Sequence, residues 1–258
     1  MDIFSFLSSG EGLWVYPLLA ILGLVAGTLN VLAGGGSFLT LPMLIFLGLP
    51  AGVANGTNRV GILIQNVSAV RRFQQEKVFD RRAALWSALP ATFGAGLGTW
   101  IALYIEDADF QRILAFLMVA VTLISFWTPS RTDDDAVDEV PRQAYGTLAA
   151  GFFVVGLYGG FVQAGVGFLI LAATTFAGLD LVRGNAVKVL AVLCFTALSL
   201  TIFAWNGKVH WPYGLALAAG TFFGGQLGAR LTVLKGHRWV KRLVTAAILV
   251  FAVRLWIT

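Results

Sequence analysis

Residues 26–59 read AGTLNVLAGGGSFLTLPMLIFLGLPAGVANGTNR, and this stretch decides the fold of the chain. Its apolar blocks are separated by three consecutive glycines at 34–36, and an Asn-rich break follows at 55–58. Three adjacent glycines are poor helix formers, and they let another group approach the backbone closely. The stretch therefore predicts short apolar segments that are interrupted at these breaks.

The composition of the whole chain excludes a water-soluble globule. Of its 258 residues, 58% are hydrophobic and 12% are charged, whereas a soluble domain is about 45–50% apolar and about 25% charged. A bilayer-spanning helix needs roughly 20 apolar residues, so the length allows about 8–10 transmembrane segments with short loops. The sequence predicts an all-α polytopic membrane protein.

Ten apolar segments are predicted along the chain. We expect helices rather than strands, because lipid offers no partner to an unpaired backbone group. The segments are 13–33, 37–50, 57–70, 84–105, 110–127, 144–163, 165–178, 186–205, 212–233 and 240–257.

The basic loops predict the orientation of these segments. Residues 71–82 and 235–242 are rich in Lys and Arg, which favours a cytoplasmic position for both. The acidic turn at 106–109 is then expected outside and the acidic stretch 130–142 inside. The same rule explains the net charge of +5, so membrane lipid and not nucleic acid is the expected surrounding of the basic side chains.

The acidic stretch 130–142 divides the chain into two halves that resemble each other. We predict a first transmembrane repeat at 1–129, an acidic cytoplasmic linker at 130–142 and a second transmembrane repeat at 143–258. With an offset of 130 residues, the matched positions are Gly35 with Gly165, Leu41 with Leu171, Gly48-Leu49 with Gly178-Leu179, and Asn55 with Asn185.

An odd number of segments in each half gives the two repeats opposite orientations. Five segments per half place the second copy upside down relative to the first. Inverted-topology repeats with interrupted or short helices are typical of secondary transporters, which bind their substrate near the midplane of the bilayer.

The ionisable residues exclude most enzyme classes. No carboxylate lies inside a predicted segment, and His210 and His237 both fall in loops. An intramembrane protease needs acidic or His-Glu pairs within its helices. Cys194 is the single cysteine, so no internal disulfide can form. We expect neither an enzyme nor a metal or other cofactor.

Two basic residues lie beside the predicted breaks, at Arg59 and Lys188. A cation within a span costs about 2.5–3.5 kcal/mol on insertion scales, so it usually faces a cavity or a partner. Two interpretations remain open at this point. Both side chains could extend to lipid headgroups at the interface, or both could face an anion.

The glycine breaks favour the anion. The expected helix starts at Phe38 and Phe168 would direct free N–H groups and positive dipole ends at a ligand. Close helix packing is the alternative use of small residues, and it is favoured for the glycines within 94–98 and 220–228. Among the buried amides Asn30, Gln65 and Gln163, Gln163 immediately precedes a break. The predicted substrate-binding residues are Gly34, Gly35, Gly36, Ser37, Asn55, Thr57, Asn58, Arg59, Gln163, Gly165, Gly167, Asn185 and Lys188.

The runs at 26–42, 48–50 and 54–58 resemble the TauE/SafE sulfite exporter family, also called the toluene sulfonate uptake permease family. The resemblance extends over nearly the whole chain, including a second glycine-rich repeat at 159–167. That repeat departs from the family pattern, because it reads Gly-Val-Gly at 165–167 and lacks the following proline. The resemblance implies multi-pass carriers of the bacterial inner membrane for sulfur-containing anions such as sulfite, sulfoacetate and other organosulfonates, often in the direction of export.

The combined expectation is a secondary transporter of a small sulfur-containing anion that works by alternating access. An anion channel is one alternative, since the same glycine breaks and helix ends could line a pore. A non-transporting membrane scaffold is another, with the acidic stretch 130–142 as its partner site. A homo-oligomer is left open, as is the coupling of transport to protons or to the membrane potential.

Overall fold

The computed structural model describes residues 12–78, 81–127, 144–179 and 181–235. These residues form nine helices and no strand, which confirms the all-α prediction for the described part of the chain. The helices are α1 (Val15–Ala33), α2 (Ser37–Phe46), α3 (Ala51–Gln75), α4 (Arg81–Leu103), α5 (Asp107–Trp127), α6 (Ala144–Phe161), α7 (Val166–Phe176), α8 (Leu181–Trp205) and α9 (Trp211–Lys235). The predicted segment 240–257, the linker 130–142 and all but the first residue of the basic loop 235–242 lie outside the described residues.

Apolar side chains cover the outside of the bundle and polar ones lie inside it. On α4, the side chains of Leu89, Phe93 and Leu97 are 60%, 73% and 53% exposed. The central helix α3 instead buries a series of polar residues, among them Asn58 and Gln65. This distribution suits a protein surrounded by lipid, whose polar groups must find partners within the bundle.

Two of the described helices are long and apolar enough to cross a membrane, at Val15–Leu32 and Val182–Trp205. Three further apolar helices are shorter, at Ser37–Phe46, Tyr145–Phe161 and Val166–Phe176. Helix α3 has 25 residues, which corresponds to about 37 Å at the usual rise. Its length therefore suffices for a crossing, and the polar residues that it buries lower its hydropathy.

Glycines bring two pairs of helices into close contact. A Cβ at Gly94 of α4 would lie 2.1 Å from the carbonyl oxygen of Phe153 on α6. A Cβ at Gly220 of α9 would lie 1.8 Å from the carbonyl oxygen of Ala20 on α1. Such contacts are those of small residues between membrane helices, and Gly98, Gly224 and Gly228 make them as well. The packing interpretation is therefore confirmed for these glycines of 94–98 and 220–228.

The order of α1 to α4 recurs in α6 to α9. Helices α3 and α8 begin 130 residues apart, at Ala51 and Leu181, and α4 and α9 also begin 130 apart, at Arg81 and Trp211. Helices α2 and α7 are short, with 10 and 11 residues. The most extensive contacts join α1 to α9 and α4 to α6, while α3 lies against α8. Each of these pairs combines one helix from either side of residues 128–143.

Two predicted breaks are wrong, because the polar residues in them belong to helices. Helix α3 begins at Ala51, directly after Pro50 with its φ of −51°, so residues 55–58 lie inside it. Helix α8 likewise begins at Leu181 and not at 186. Hydrogen bonds between the side chains of Asn55, Thr57 and Asn58 and other elements allow α3 to contain them, and Asn185 of α8 accepts a hydrogen bond from Lys188. Helix α7 begins at Val166, which places Gly167 within the helix and not ahead of it.

Candidate functional site

The two glycine breaks meet each other in the interior. Helix α1 ends at Gly34, whose φ is 89°, and α7 begins after Gly165, whose φ is 75°. A Cβ at Gly34 would lie 2.4 Å from the carbonyl carbon of Gly167. One turn further on, the rings of Phe38 and Phe168 stack with centroids 6.3 Å apart. We call the contact of Gly34 with Gly167 the glycine junction.

Arg59 of α3 is fully buried and binds the end of α6. Its Nη1 donates to the carbonyl oxygen of Gly159 at 3.1 Å, and its Nη2 donates to that of Gly160 at 2.6 Å. Nη1 also donates to Oε1 of Gln163 at 3.0 Å, and Nη2 lies 3.5 Å from Oδ1 of Asn55. The guanidinium group thus caps carbonyl groups that the interrupted helix leaves without intrahelical partners.

Lys188 of α8 is 3% exposed and binds the end of α1 in the same manner. Its Nζ donates to the carbonyl oxygens of Asn30 at 3.1 Å and of Val31 at 2.7 Å. It also donates to Oδ1 of Asn185 at 2.5 Å. An ammonium group carries three donors, so all the hydrogen-bonding capacity of Lys188 is in use.

The two cations make the interior positively charged. No Asp or Glu is buried among the described residues, so carbonyl dipoles provide the neutralisation that carboxylates often provide elsewhere. A helix C-terminus carries about half a negative charge, which leaves roughly one positive charge uncompensated for the two cations together. The burial of Arg59 and Lys188 excludes the interpretation that they extend to lipid headgroups.

A small polar cavity lies beside Lys188 and the glycine junction. About 10 Å³ of it is available to the centre of a water-sized sphere, which is room for about one water molecule. Three of the predicted site residues line it, namely Gln163, Gly167 and Lys188. Asn30, Gln65, Asn66, Val166 and Val192 complete the lining.

Gln163 connects the Arg59 region to α8. Its Oε1 accepts from Arg59, and its Nε2 donates to Oγ1 of Thr196 at 2.5 Å. Across the cavity, Nδ2 of Asn30 donates to Oε1 of Gln65 at 3.2 Å. Amide groups therefore lie between the two capped helix ends and can both donate to and accept from a ligand.

The other predicted residues of α3 contact neighbouring elements and do not line the cavity. Asn55 donates from Nδ2 to the carbonyl oxygen of Phe161 at 2.8 Å. Thr57 accepts from the backbone N–H of His210 at 2.8 Å. Asn58 accepts from the hydroxyl of Thr40 at 2.6 Å.

The glycine-rich turn before α2 is also explained in part by packing. Gly36 directly precedes the helix, and a Cβ there would lie 1.9 Å from the carbonyl oxygen of Ala26. Gly35 and Ser37 are buried beside it, and Gly165 is the residue before α7. Gly35, Gly36, Ser37, Gly165 and Asn185 do not line the cavity. Gly34 does not line it either, but it contacts Gly167, which does.

Sequence reasoning did not select four polar residues of this network. Asn30 and Gln65 are buried amides whose role the sequence leaves ambiguous, and Asn66 and Thr196 carry no motif. A signal existed in their spacing, because Lys188, Val192 and Thr196 are four residues apart and share a face of α8. Asn66 precedes Thr196 by the repeat offset of 130 residues.

The chemistry available in this region is hydrogen bonding by two cations and by uncharged polar groups. The buried groups are a guanidinium, an ammonium, carboxamides and hydroxyls. Within residues 12–78, 81–127, 144–179 and 181–235, no group of three His, Cys, Asp or Glu side chains could hold a metal ion.

Comparisons with known proteins identify relatives over most of the chain. The family described as "Sulfite exporter TauE/SafE" matches residues 19–255. A "Probable membrane transporter protein" of Haemophilus influenzae is 27% identical over 234 residues, which cover 90% of this chain and 91% of the relative. "Probable membrane transporter protein YfcA" of Escherichia coli K12 is 26% identical over 239 residues, covering 92% and 88%. No solved structure matches the chain significantly.

Proposed function

This chain belongs to the sulfite exporter TauE/SafE family, and we propose that it exports a small sulfur-containing anion across the bacterial inner membrane. Membership makes it a multi-pass membrane transporter and not an enzyme. The proposed substrates are sulfite, sulfoacetate or another organosulfonate, the anions that the sequence resemblance implies.

The main support for an anionic substrate is the pair of buried cations, Arg59 and Lys188. Both cations lie in the interior against helix ends and amide oxygens, and no buried carboxylate accompanies them in the described residues. A small anion would compensate the remaining charge, and it would exchange its hydration for donors that are already in place. A neutral or cationic substrate would not compensate this positive charge, and it would interact less strongly with the donors.

Two donors on α3 have no hydrogen-bond partner that they would have to release before binding an oxyanion. Nε of Arg59 and Nδ2 of Asn58 are buried and have no hydrogen-bond partner. Lys188, in contrast, has no free donor, so an anion can bind it only in place of a backbone carbonyl of α1 or of Oδ1 of Asn185. We infer that substrate binding begins at Arg59 and that contact with Lys188 requires one of its three hydrogen bonds to break.

Alternating access by two inverted repeats is the proposed mechanism, with residues 1–129 and 143–258 as the moving units and 130–142 as the cytoplasmic linker. The recurrence of helix order and the reciprocal caps support it. Arg59 of α3 holds the end of α6, and Lys188 of α8 holds the end of α1. Any movement of one repeat against the other must therefore change both caps.

A carrier fits the geometry better than a channel does. A channel needs a continuous path, whereas the cavity at the glycine junction has room for about one water molecule. The scaffold alternative depended on the acidic stretch 130–142, and the family comparison favours transport.

Thermal unfolding of the purified protein against a panel of anions tests this proposal. The panel contains sulfite, sulfate, thiosulfate, sulfoacetate, taurine and chloride. A ligand at about 100 times its dissociation constant stabilises the folded state by roughly 2.7 kcal/mol. We expect one sulfur oxyanion to raise the unfolding temperature selectively, and counterflow in liposomes with that anion then measures transport.

Three variants locate the binding site in the same assay. Arg59→Met and Lys188→Met each remove a buried charge at similar volume, and we expect both to abolish the stabilisation by the anion. Arg112→Met removes an exposed cation on α5 and should leave the response unchanged. A full response in the Arg59 and Lys188 variants, or a folded wild-type protein that responds to no anion, would contradict the proposal.

A further inference from the structure

A vestibule opens at the end of the molecule where α4 and α8 terminate and α5 begins. It has a volume of about 290 Å³, enough for a small anion with several water molecules. Its lining includes the exposed side chains of Glu106 and Asp107 and the buried side chains of Ala102 and Phe203. The difference in exposure means that Ala102 and Phe203 mark its inner end.

Phe203 both lines this vestibule and contacts the buried guanidinium of Arg59. The Cζ atom of Arg59 is 4.9 Å from the centroid of the Phe203 ring, a contact in which the aromatic face attracts the cation. The side chain of Phe203 has no surface exposed to solvent. One aromatic residue therefore lines a space open to water and contacts a cation whose Nε has no partner.

Helix α3 and the turn after α8 pack closely beside Phe203. A Cβ at Gly56 of α3 would lie 3.1 Å from Cβ of Phe203 and 2.0 Å from the carbonyl oxygen of Lys208. The turn that contains Lys208 is held to α3 by the hydrogen bond from the His210 N–H to Thr57. Because the backbone around the ring is fixed, a change in the side-chain angle of Phe203 is the simplest way to open a path to Arg59.

We propose, presupposing the transport function of this chain, that the vestibule is the outer entrance of the anion path and that Phe203 is its gate. When the ring covers Arg59, the cation is held by its cap on α6 and by the aromatic face. When the ring turns away, an anion in the vestibule reaches the guanidinium.

Thiol labelling tests the gate without any substrate. Replacement of the single cysteine by Cys194→Ser provides a background for two reporters. Ala102→Cys reports on the vestibule, and Thr99→Cys reports on the space behind the ring, since the Thr99 hydroxyl donates to the Gly160 carbonyl that Arg59 also binds. Membrane-impermeant methanethiosulfonates of either charge are applied from outside to the protein in liposomes of known orientation.

With Phe203 in place, we expect rapid labelling at position 102 and slow labelling at position 99. Phe203→Ala should accelerate labelling at 99 by at least tenfold, with the anionic reagent faster than the cationic one because Arg59 lies nearby. Phe152→Ala removes an equally buried ring of α6 and should change neither rate. Phe203→Leu fills more of the space and serves if the alanine variant does not elute as a folded protein.

Equal labelling at position 99 with and without the Phe203 ring would overturn the gate, as would labelling of position 102 only from the cytoplasmic side. If the gate behaves as expected but the wild-type protein transports no anion, the transport proposal fails instead. If the wild-type protein transports sulfite and Phe203→Ala alters neither labelling nor transport rate, only the gate is wrong.

Discussion

The helices α1 and α6 both have a cation bound to the carbonyl groups of their last turn, but the two cations differ. The planar guanidinium group of Arg59 caps α6, and it also contacts Oδ1 of Asn55 and the ring of Phe203. Its Nε has no hydrogen-bond partner. Lys188 caps α1 with an ammonium group whose three donors are all in use.

This difference in free donors suits the capped ends of α6 and α1 to different steps of substrate binding. A guanidinium has five donors, so Arg59 can hold the end of α6 and still offer one donor to an arriving anion. An ammonium group cannot do both, so Lys188 must release one of its three acceptors before it binds a ligand. We therefore expect the Arg59 region to receive the substrate and the Lys188 region to respond to it.

The largest effect is expected from Gly34→Ala, which breaks the glycine junction between the two regions. A residue with a Cβ at a φ of 89° costs roughly 1–2 kcal/mol. The new Cβ would also lie 2.4 Å from the backbone of Gly167, and overpacking of this kind costs typically about 1–3 kcal/mol. Denaturation in detergent should show a loss of about 2–5 kcal/mol in the free energy of unfolding.

Gly48 offers a matched control for this substitution. Its φ is also 89°, but a Cβ there would meet nothing within 4 Å. Gly48→Ala should therefore show the conformational cost alone, roughly 1–2 kcal/mol. Equal losses for the two variants would mean that the contact with Gly167 does not hold the breaks together.

A smaller effect is expected from exchanging the two cations, which sharpens the comparison. Arg59→Lys keeps the positive charge, but an ammonium group has only three donors. The guanidinium group of Arg59 uses four N–H donors in the present contacts and has a fifth without a partner, so we expect the affinity for the anion to fall about tenfold. Lys188→Arg must fit a larger group beside a cavity for about one water molecule. We expect its anion affinity to fall as well, through displacement of the end of α1.

Anion titration followed by thermal unfolding measures both exchanges. Arg112→Lys, at an exposed position, is the control and should retain wild-type affinity. Unchanged affinity in Arg59→Lys would mean that a positive charge alone suffices there and that the fork geometry has no role.

The sign of the charge in this region could be predicted from the sequence, but its arrangement could not. Arg59 and Lys188 are visible as cations in apolar surroundings without acidic neighbours, and the glycine breaks beside them favour an anion over lipid headgroups. Their partners, however, lie about 100 and 157 residues away, at Gly159 and Val31. Backbone carbonyls carry no sequence signature, so a cation that caps a distant helix end cannot be distinguished from one that faces lipid.

Helix positions show a similar limit. The apolar segments and the glycine breaks at 34–36 and 165 follow from local chemistry, and the structure has helices at all nine described segments. The Asn-rich stretch at 55–58 was predicted as a break because polar residues lower hydropathy. It lies inside α3, since tertiary hydrogen bonds such as that from Thr40 to Oδ1 of Asn58 bind most of the polar atoms of those side chains.

The smallest effect is expected at the rim of the vestibule, where Glu106→Gln sharpens the comparison from the Arg59 side. Glu106 is exposed and lines the vestibule, so its carboxylate repels an anion that approaches Arg59 from outside. Two charges about 10 Å apart in water interact by roughly 0.4 kcal/mol, which corresponds to about a twofold change in affinity. Glu106→Gln should therefore raise the affinity for external anion in counterflow about twofold.

Salt provides the control for this effect, because exposed charges are screened within about 8 Å at physiological ionic strength and within about 3 Å at 1 M. The gain in Glu106→Gln should be largest at low ionic strength and vanish at high salt. Glu76→Gln, at the opposite end of α3, should give no gain at any salt concentration. If both variants raised the affinity for external anion, the net charge of the protein would be the cause. If only Glu106→Gln raises it, the anion enters at the Arg59 end, and the carboxylate at the rim hinders the return of exported anion.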